Sequence, residues 1–282
     1  MLLGYNTNGL AHHELLDAVA LLAEIGYRSV AIAIDHHALS PQEDYLGQLR
    51  QVRRVLRLNG MHSVIETGAR FLLDPREKHE PTLVSADPGR RRQRIEFYEH
   101  AIRCAAELES DCVSLWSGVL REPIPREAAM ARLAKGLRQV LDVAAGQGVK
   151  IGFEPEPGML IDSMARFEEL LAMADYPNLK LTLDVGHLHC QGEVPIAEQI
   201  VRWAPRLVNV HIEDMRRGRH EHLMFGEGEI DFPPVLQALT QIGYQGGVHV
   251  ELSRHSHEAP TAARRAYAFL QPMVERRGSS HG

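Results

Sequence analysis

The chain has 282 residues, of which 44% are hydrophobic and 24% charged, which supplies one large core and excludes a disordered or fibrous polymer. A formal charge of −6 argues against broad electrostatic capture of nucleic acid or an anionic membrane, so a small neutral or locally steered substrate is expected. No stretch approaches the roughly 18 consecutive apolar residues of a membrane span, and residues 1–8 lack the basic and apolar regions of a secretory signal. Cys104, Cys112 and Cys190 are too scattered for a disulfide framework or a thiolate zinc site; they read as buried thiols in a reducing, cytoplasmic compartment.

In chain order, a β-rich run at 3–6 is followed by an amphipathic helical stretch at 13–25, and the pattern repeats. The further pairs are 29–35 with 43–59, 62–66 with 90–109, 112–116 with 126–145, 149–154 with 163–174, 179–184 with 195–203, 207–211 with 233–242 and 248–251 with 260–274. Gly26, Gly60 and Gly243 stand just past helices, and Asp162, Ser163 and Asp231 just before them. Strict alternation implies a parallel sheet wound by right-handed crossovers, and eight units are the number that closes. The expected fold is an α/β chain forming a single (β/α)8 TIM barrel over residues 1–275, followed by a polar tail at 276–282, with a doubly wound open sheet as the alternative. Two connections exceed the usual two to six residues, 67–89 and 212–231; they would overhang the C-terminal face as a lid and a substrate-contacting loop, or decorate the surface.

Side-chain parity within the strands is a sharper test, because alternate residues face opposite sides. Ile151, Phe153, Leu181, Leu183, Val208, Val210, Val248 and Val250 would pack outward on helices. Gly152, Glu154, Thr182, Asp184, His211, His249 and Glu251 would then point inward. The first four strands end on Asn6, Asp35, Glu66 and Trp116, on the face where barrel enzymes place their active sites. Glu154, Asp184, His211 and Glu251 end four consecutive strands and would converge across the mouth. Left unpaired, such acids repel one another, whereas a divalent cation neutralises them. Oxygen-rich ligation with one nitrogen favours Mn²⁺ first, with Mg²⁺, Co²⁺ or Zn²⁺ also fitting. Glu156 competes with Glu154, but it lies past Pro155, where strand pairing should end.

The segments Gly152–Gly158 (GFEPEPG), Leu183–His187 (LDVGH), Val210–Asp214 (VHIED), Gly226–Asp231 (GEGEID) and Val250–Ser253 (VELS) carry a resemblance. The chain resembles the xylose isomerase-like barrel superfamily over nearly its whole length, and looks most like the sugar phosphate isomerase/epimerase branch with its ketose 3-epimerases. The resemblance implies that Glu154, Asp184, His211 and Glu251 bind one divalent metal and that Glu154 and Glu251 are the catalytic proton-transfer pair. It also implies a substrate contact at His187 and at His222, with His220 a weaker candidate. Endonuclease IV relatives carry extra histidines where Glu66 and Trp116 stand here, which sets this chain apart from the abasic-site nucleases.

The implied reaction is proton transfer next to a carbonyl of a ketose, keto-sugar or keto-polyol through an enediolate, giving an isomerase or epimerase. The alternative is a metal-dependent lyase, dehydrating like inosose dehydratase or cleaving a C-glycoside; a nuclease or a sugar-binding barrel without turnover ranks lower. Trp116 offers a wall to a sugar face, Glu66 and Asp35 accept hydroxyls, and Arg217 could meet an acidic group. The partner is a small carbohydrate, and relatives that form dimers or tetramers imply a homo-oligomer.

Overall fold

A computed structural model describes residues 1–173, 176 and 178–275. The barrel strands are β1 (Leu2–Asn6), β2 (Ser29–Ala33), β3 (His62–Glu66), β4 (Val113–Leu115), β5 (Ile151–Phe153), β6 (Leu179–Asp184) and β7 (Leu207–Ile212). After a short antiparallel hairpin of β8 (Asp214–Arg216) and β9 (Arg219–Leu223), β10 (Gly247–Val250) completes the ring by pairing with both β7 and β1. The helices are α1 (Leu15–Ile25), α2 (Tyr45–Asn59), α3 (Pro88–Leu108), α4 (Arg126–Gly146), α5 (Met164–Met173), α6 (Val185–Gln191), α7 (Ile196–Trp203), α8 (Phe232–Gln241) and α9 (Ala259–Glu275). The result is a closed, parallel (β/α)8 barrel, as the alternation implies. The end of the fifth predicted helix at residue 174 and the predicted tail at 276–282 lie outside the described residues. Among the described residues, no helix is long and apolar enough to cross a membrane.

Local chemistry sets the boundaries. Gly26 ends α1 at φ 118°, a left-handed conformation that leaves its N–H free to return to the Leu22 and Ala23 carbonyls. Helix α3 starts two residues before its predicted position, because Asp87 accepts from the Arg90 N–H and Pro88 fits the first helical turn. Helix α6 escaped the sequence pattern altogether. Asp184 is both the last residue of β6 and the cap of α6, its carboxylate accepting from the His187 N–H at 2.7 Å.

Parity holds for Ile151, Phe153, Leu181, Leu183, Val210, Val248 and Val250, which join the core between sheet and helices. Val208 departs from it. Pairing between β6 and β7 slips by one residue, Leu181 opposing Leu207 while Thr182 opposes Asn209. The extra residue, Val208, turns to pack with Ala31, Val64 and Cys112, a small cluster separate from the main core. His249 fills the barrel between Gly4 and Gly247, where an added Cβ at either glycine would overlap its ring. Ser29 Oγ lies 2.8 Å from His249 Nε2, and His249 Nδ1 lies 2.8 Å from Asn209 Oδ1, which satisfies a neutral imidazole protonated at Nδ1.

Both long connections lie over the C-terminal face and contribute to one cavity, the first through Arg70 and His79 and the second through His220 and His222. The first is tied down by the fully buried Arg94 of α3. Its guanidinium donates to the carbonyls of Thr67 (2.9 Å), His79 (2.6 Å) and Pro81 (2.5 Å), while Phe97, Tyr98 and Trp116 surround it at 5.0–5.4 Å. One planar cation thus serves a stretch of backbone that has no ladder of its own. Arg94→Leu strands those carbonyls and should cost about 3 kcal/mol or more in a denaturant titration, with Arg94→Lys recovering little of it.

Burial drives the His249 pKa down to about 3, helped by His211. An unfolded histidine takes up its proton near pH 6.5. Between those values the unfolded chain holds the additional proton, so this contribution is complete above about pH 6.5 and is lost as pH falls toward 3. The slope is up to about 1.4 kcal/mol per pH unit. Urea unfolding of the chelator-treated protein at pH 7 and 5 should show a shallower acid loss for His249→Gln than for the unsubstituted chain; equal slopes would contradict it.

Candidate functional site

The C-terminal ends of the strands open into a cavity of ≈ 610 Å³. Asp184 and His211 at the ends of β6 and β7 meet Glu154 and Glu251, each one residue past β5 and β10, and Glu154, His211 and Glu251 line the cavity. His211 is the centre. Its Nδ1 lies 3.0 Å from Glu154 Oε1, 2.9 Å from Glu251 Oε2 and 3.9 Å from Asp184 Oδ2. One ligand atom from each of these four residues falls within 4.8 Å of the others.

The opposite ring nitrogen has its own partner. His211 Nε2 lies 2.8 Å from Glu66 Oε1, which also accepts from Asn209 Nδ2 at 3.1 Å. Because β3 and β7 stand on opposite sides of the ring, this contact spans the barrel. Such a carboxylate holds the proton on Nε2 and leaves Nδ1 for a metal. Asn209 in turn meets His249, so the order extends to the barrel interior.

The donor set fits a divalent cation. Asp184 Oδ1 is engaged by the His187 N–H, while Oδ2 is buried with no hydrogen-bond partner among the described residues. An ionised oxygen removed from water and left without a donor is costly unless a cation meets it. Without that cation, the imidazole carries the load. Burial alone would lower the His211 pKa, but Glu66, Glu154 and Glu251 raise it well above its usual value. Burial lifts Glu154 to about 8 against the pull of His211, with Glu251 and Asp184 adding to the rise. Burial also works to lift Glu251, yet the charge and hydrogen bond of His211 hold it below the usual range.

The expected substrate contacts separate into two groups. Glu66, Trp116, Asp35 and His222 all line the cavity, as does His220. Trp116 forms a wall braced edge-on by His79, with ring centres 5.7 Å apart. Glu66, expected to accept a hydroxyl, is instead committed to His211 through Oε1. Asp35 faces Arg70 at 3.7 Å. Glu156 also lines the cavity, but it faces His220 at 3.6 Å, whereas Glu154 belongs to the four-residue cluster.

His187 and Arg217 are not among the cavity-lining residues. The buried His187 ring stands beside the acidic cluster, Nδ1 3.7 Å from Glu154 Oε1 and 3.2 Å from the Pro155 carbonyl, and Nε2 3.8 Å from Asp184 Oδ2 and 3.1 Å from His220 Nε2. Arg217 is exposed at the turn between β8 and β9, near Gly192, because that connection folds as a hairpin and its inward strand presents His220 and His222. Sequence reasoning missed Asn8, Arg70 and Arg254 on the cavity wall. Asn8 donates through Nδ2 to Glu251 Oε1 at 2.7 Å, and its position two residues past the first strand was the available signal.

Known proteins share this fold. The family profile described as xylose isomerase-like TIM barrel matches residues 19–273. The chain is 24% identical to L-ribulose-5-phosphate 3-epimerase UlaE of Shigella flexneri, over 88% of this chain and 85% of that protein. It is 30% identical to an inosose dehydratase of Lacticaseibacillus casei, over 45% of this chain and 48% of that protein, so this match spans about half of the dehydratase. A D-tagatose 3-epimerase-like protein superposes with a TM-score of 0.79 at 22% identity, covering 99% of this chain and 100% of that one. The IOLI protein, whose structure carries a zinc atom, superposes at 0.76 and 20% identity over 98% and 99% of the two chains.

A divalent cation bound by this cluster would displace the proton from His211 Nδ1, so affinity for added Mn²⁺ is expected to fall as pH is lowered. Calorimetric titration is expected to show proton release on binding, and Glu66→Gln should weaken binding about 10- to 100-fold. Undiminished affinity in that variant would remove Glu66 from the support of His211.

Proposed function

The chain belongs to the xylose isomerase-like TIM barrel family, and on that premise we propose that it is a metal-dependent isomerase or epimerase moving a proton next to a carbonyl of a ketose, keto-sugar or keto-polyol. The observation that carries this reading is the convergence of Glu154 and Glu251 on one point. They come from β5 and β10, three places apart around the barrel, and approach the same His211 nitrogen at 3.0 and 2.9 Å. Two carboxylates on different sides of a bound substrate can remove a proton from one face and deliver one to another.

Glu154, Asp184, His211 and Glu251 would hold the ion, with manganese the first choice for three carboxylates and one imidazole. When bound, a divalent ion supplies a Lewis acid that polarises a carbonyl oxygen. The remaining tasks fall to the chain. Asn8 fixes one oxygen of Glu251 by its 2.7 Å hydrogen bond and so limits how the carboxylate can turn. Glu154, which meets the same His211 nitrogen, is the second proton-transfer group. Trp116 supplies a flat apolar wall, His220 and His222 offer ring nitrogens to hydroxyls, and the segment held by Arg94 screens the cavity from water. His187 acts on substrate through His220 in this reading, because its own ring is enclosed. The three free, buried cysteines suit a cytosolic setting.

A lyase outcome is the second reading, favoured by the 30% identity to inosose dehydratase and by His222 on the wall as a donor to a departing hydroxyl. In deuterated water with Mn²⁺ and a panel of ketoses and keto-polyols, deuterium is expected at the carbon beside the carbonyl. Glu154→Gln and Glu251→Gln should each lower that exchange by roughly 10²- to 10⁴-fold while circular dichroism stays unchanged. Exchange that persists in both variants would dismiss the roles, and a dehydrated product would assign elimination.

A further inference from the structure

A second cavity of ≈ 280 Å³ lies beside the central one, between the start of α1 and the segment after β2. Leu10, Leu15, Ala18, Ala38 and Phe71 give it an apolar side, and His13, His36 and His37 line it as well. Phe71 is 46% exposed, so its ring is accessible at this cavity. The volume matters. An apolar cavity of about 150 Å³ holds a benzene ring, so this one takes a ring with room to spare.

The two cavities adjoin, with Asn8, Ala33, Asp35 and Arg70 lining both. Arg70 stands at the neck, 3.7 Å from Asp35 and donating to the Asn8 carbonyl at 2.5 Å. Asn8 also has a side-chain oxygen that is buried with no hydrogen-bond partner among the described residues, while its Nδ2 is turned to Glu251. The carboxylate beside Nδ2 fixes which way the amide points, so the free Oδ1 is an acceptor for a hydroxyl at the neck. A free ketose would fill the metal-side cavity and leave the apolar one empty.

We propose that the cavity bordered by Leu10, Ala18 and Phe71 is a subsite for an apolar, ring-sized substituent, and that the substrate is a keto-sugar conjugated to such a group through the neck at Asn8, Asp35 and Arg70. This deepens the isomerase reading and rests on it for the sugar half. The sugar's carbonyl side lies toward Glu154 and Glu251, and the aglycone lies against the alanines and leucines of the annex. Burying an aromatic ring there gives the conjugate an affinity that the bare sugar lacks.

Calorimetry on the purified full chain with added Mn²⁺ tests this with phenyl β-D-glucopyranoside and methyl β-D-glucopyranoside as probes. The phenyl glucoside should bind at least about tenfold tighter than the methyl glucoside. Phe71→Ala, at an exposed position that the fold tolerates, and Ala18→Leu, which fills the annex, should each bring that ratio close to one. Equal affinities, no measurable binding of either glucoside, or a phenyl preference that survives both substitutions would each overturn the subsite. The deuterium-exchange assay reports separately on the isomerase reading. Loss of exchange with the ratio intact would leave the annex standing without that chemistry, and exchange with equal affinities would do the reverse.

Discussion

Three carboxylates cannot be held around one point in a dry barrel mouth unless a positive charge sits among them, and much else in the structure follows from that constraint. In the metal-free chain His211 supplies the charge, clamped between Glu154, Glu251 and Glu66. That arrangement is a compromise, since Asp184 keeps an oxygen with no donor among the described residues. A divalent ion would resolve it more completely than a proton can, because Glu154, Asp184, His211 and Glu251 could each offer it a ligand atom. The acidic cluster is therefore an electrostatic burden on the fold, and the proposed chemistry draws on it.

The remaining order of the barrel serves this point. Gly4 and Gly247 leave space for His249, which fixes Asn209, which meets Glu66, which fixes the ring of His211. Each link is a buried polar group satisfied by the next, so the network is worth more intact than as separate bonds. On the opposite side of the cavity, Arg94 does comparable work for an irregular segment, converting a single cation into three backbone anchors and a brace for Trp116.

Much of this could be read from residue order. Alternating strands and helices determine the barrel, and strand parity brings Glu154, Asp184, His211 and Glu251 to one mouth, since both are local periodicities. What escaped reading depends on distances across the ring or on turns. The commitment of Glu66 to His211 joins opposite strands 145 residues apart, and no nearby pattern encodes it. The inward turn of Val208 comes from a one-residue slip in pairing. Arg217 looked like a substrate contact from its place after β7, but a hairpin carries it to the surface. His187 is set beside Glu154 and Asp184 by a helix too short to show a period. Asn8 sits in a turn, where an asparagine has many uses and sequence does not distinguish them.

The double duty of Asp184 ties a backbone amide to the centre. Its Oδ1 accepts from the His187 N–H while Oδ2 faces the cluster, so whatever draws electron density toward Oδ2 weakens the pull on that amide proton. The His187 amide resonance is thereby a built-in spectroscopic reporter. Its chemical shift should register occupancy of the mouth through a single carboxylate, without any label being placed in the site.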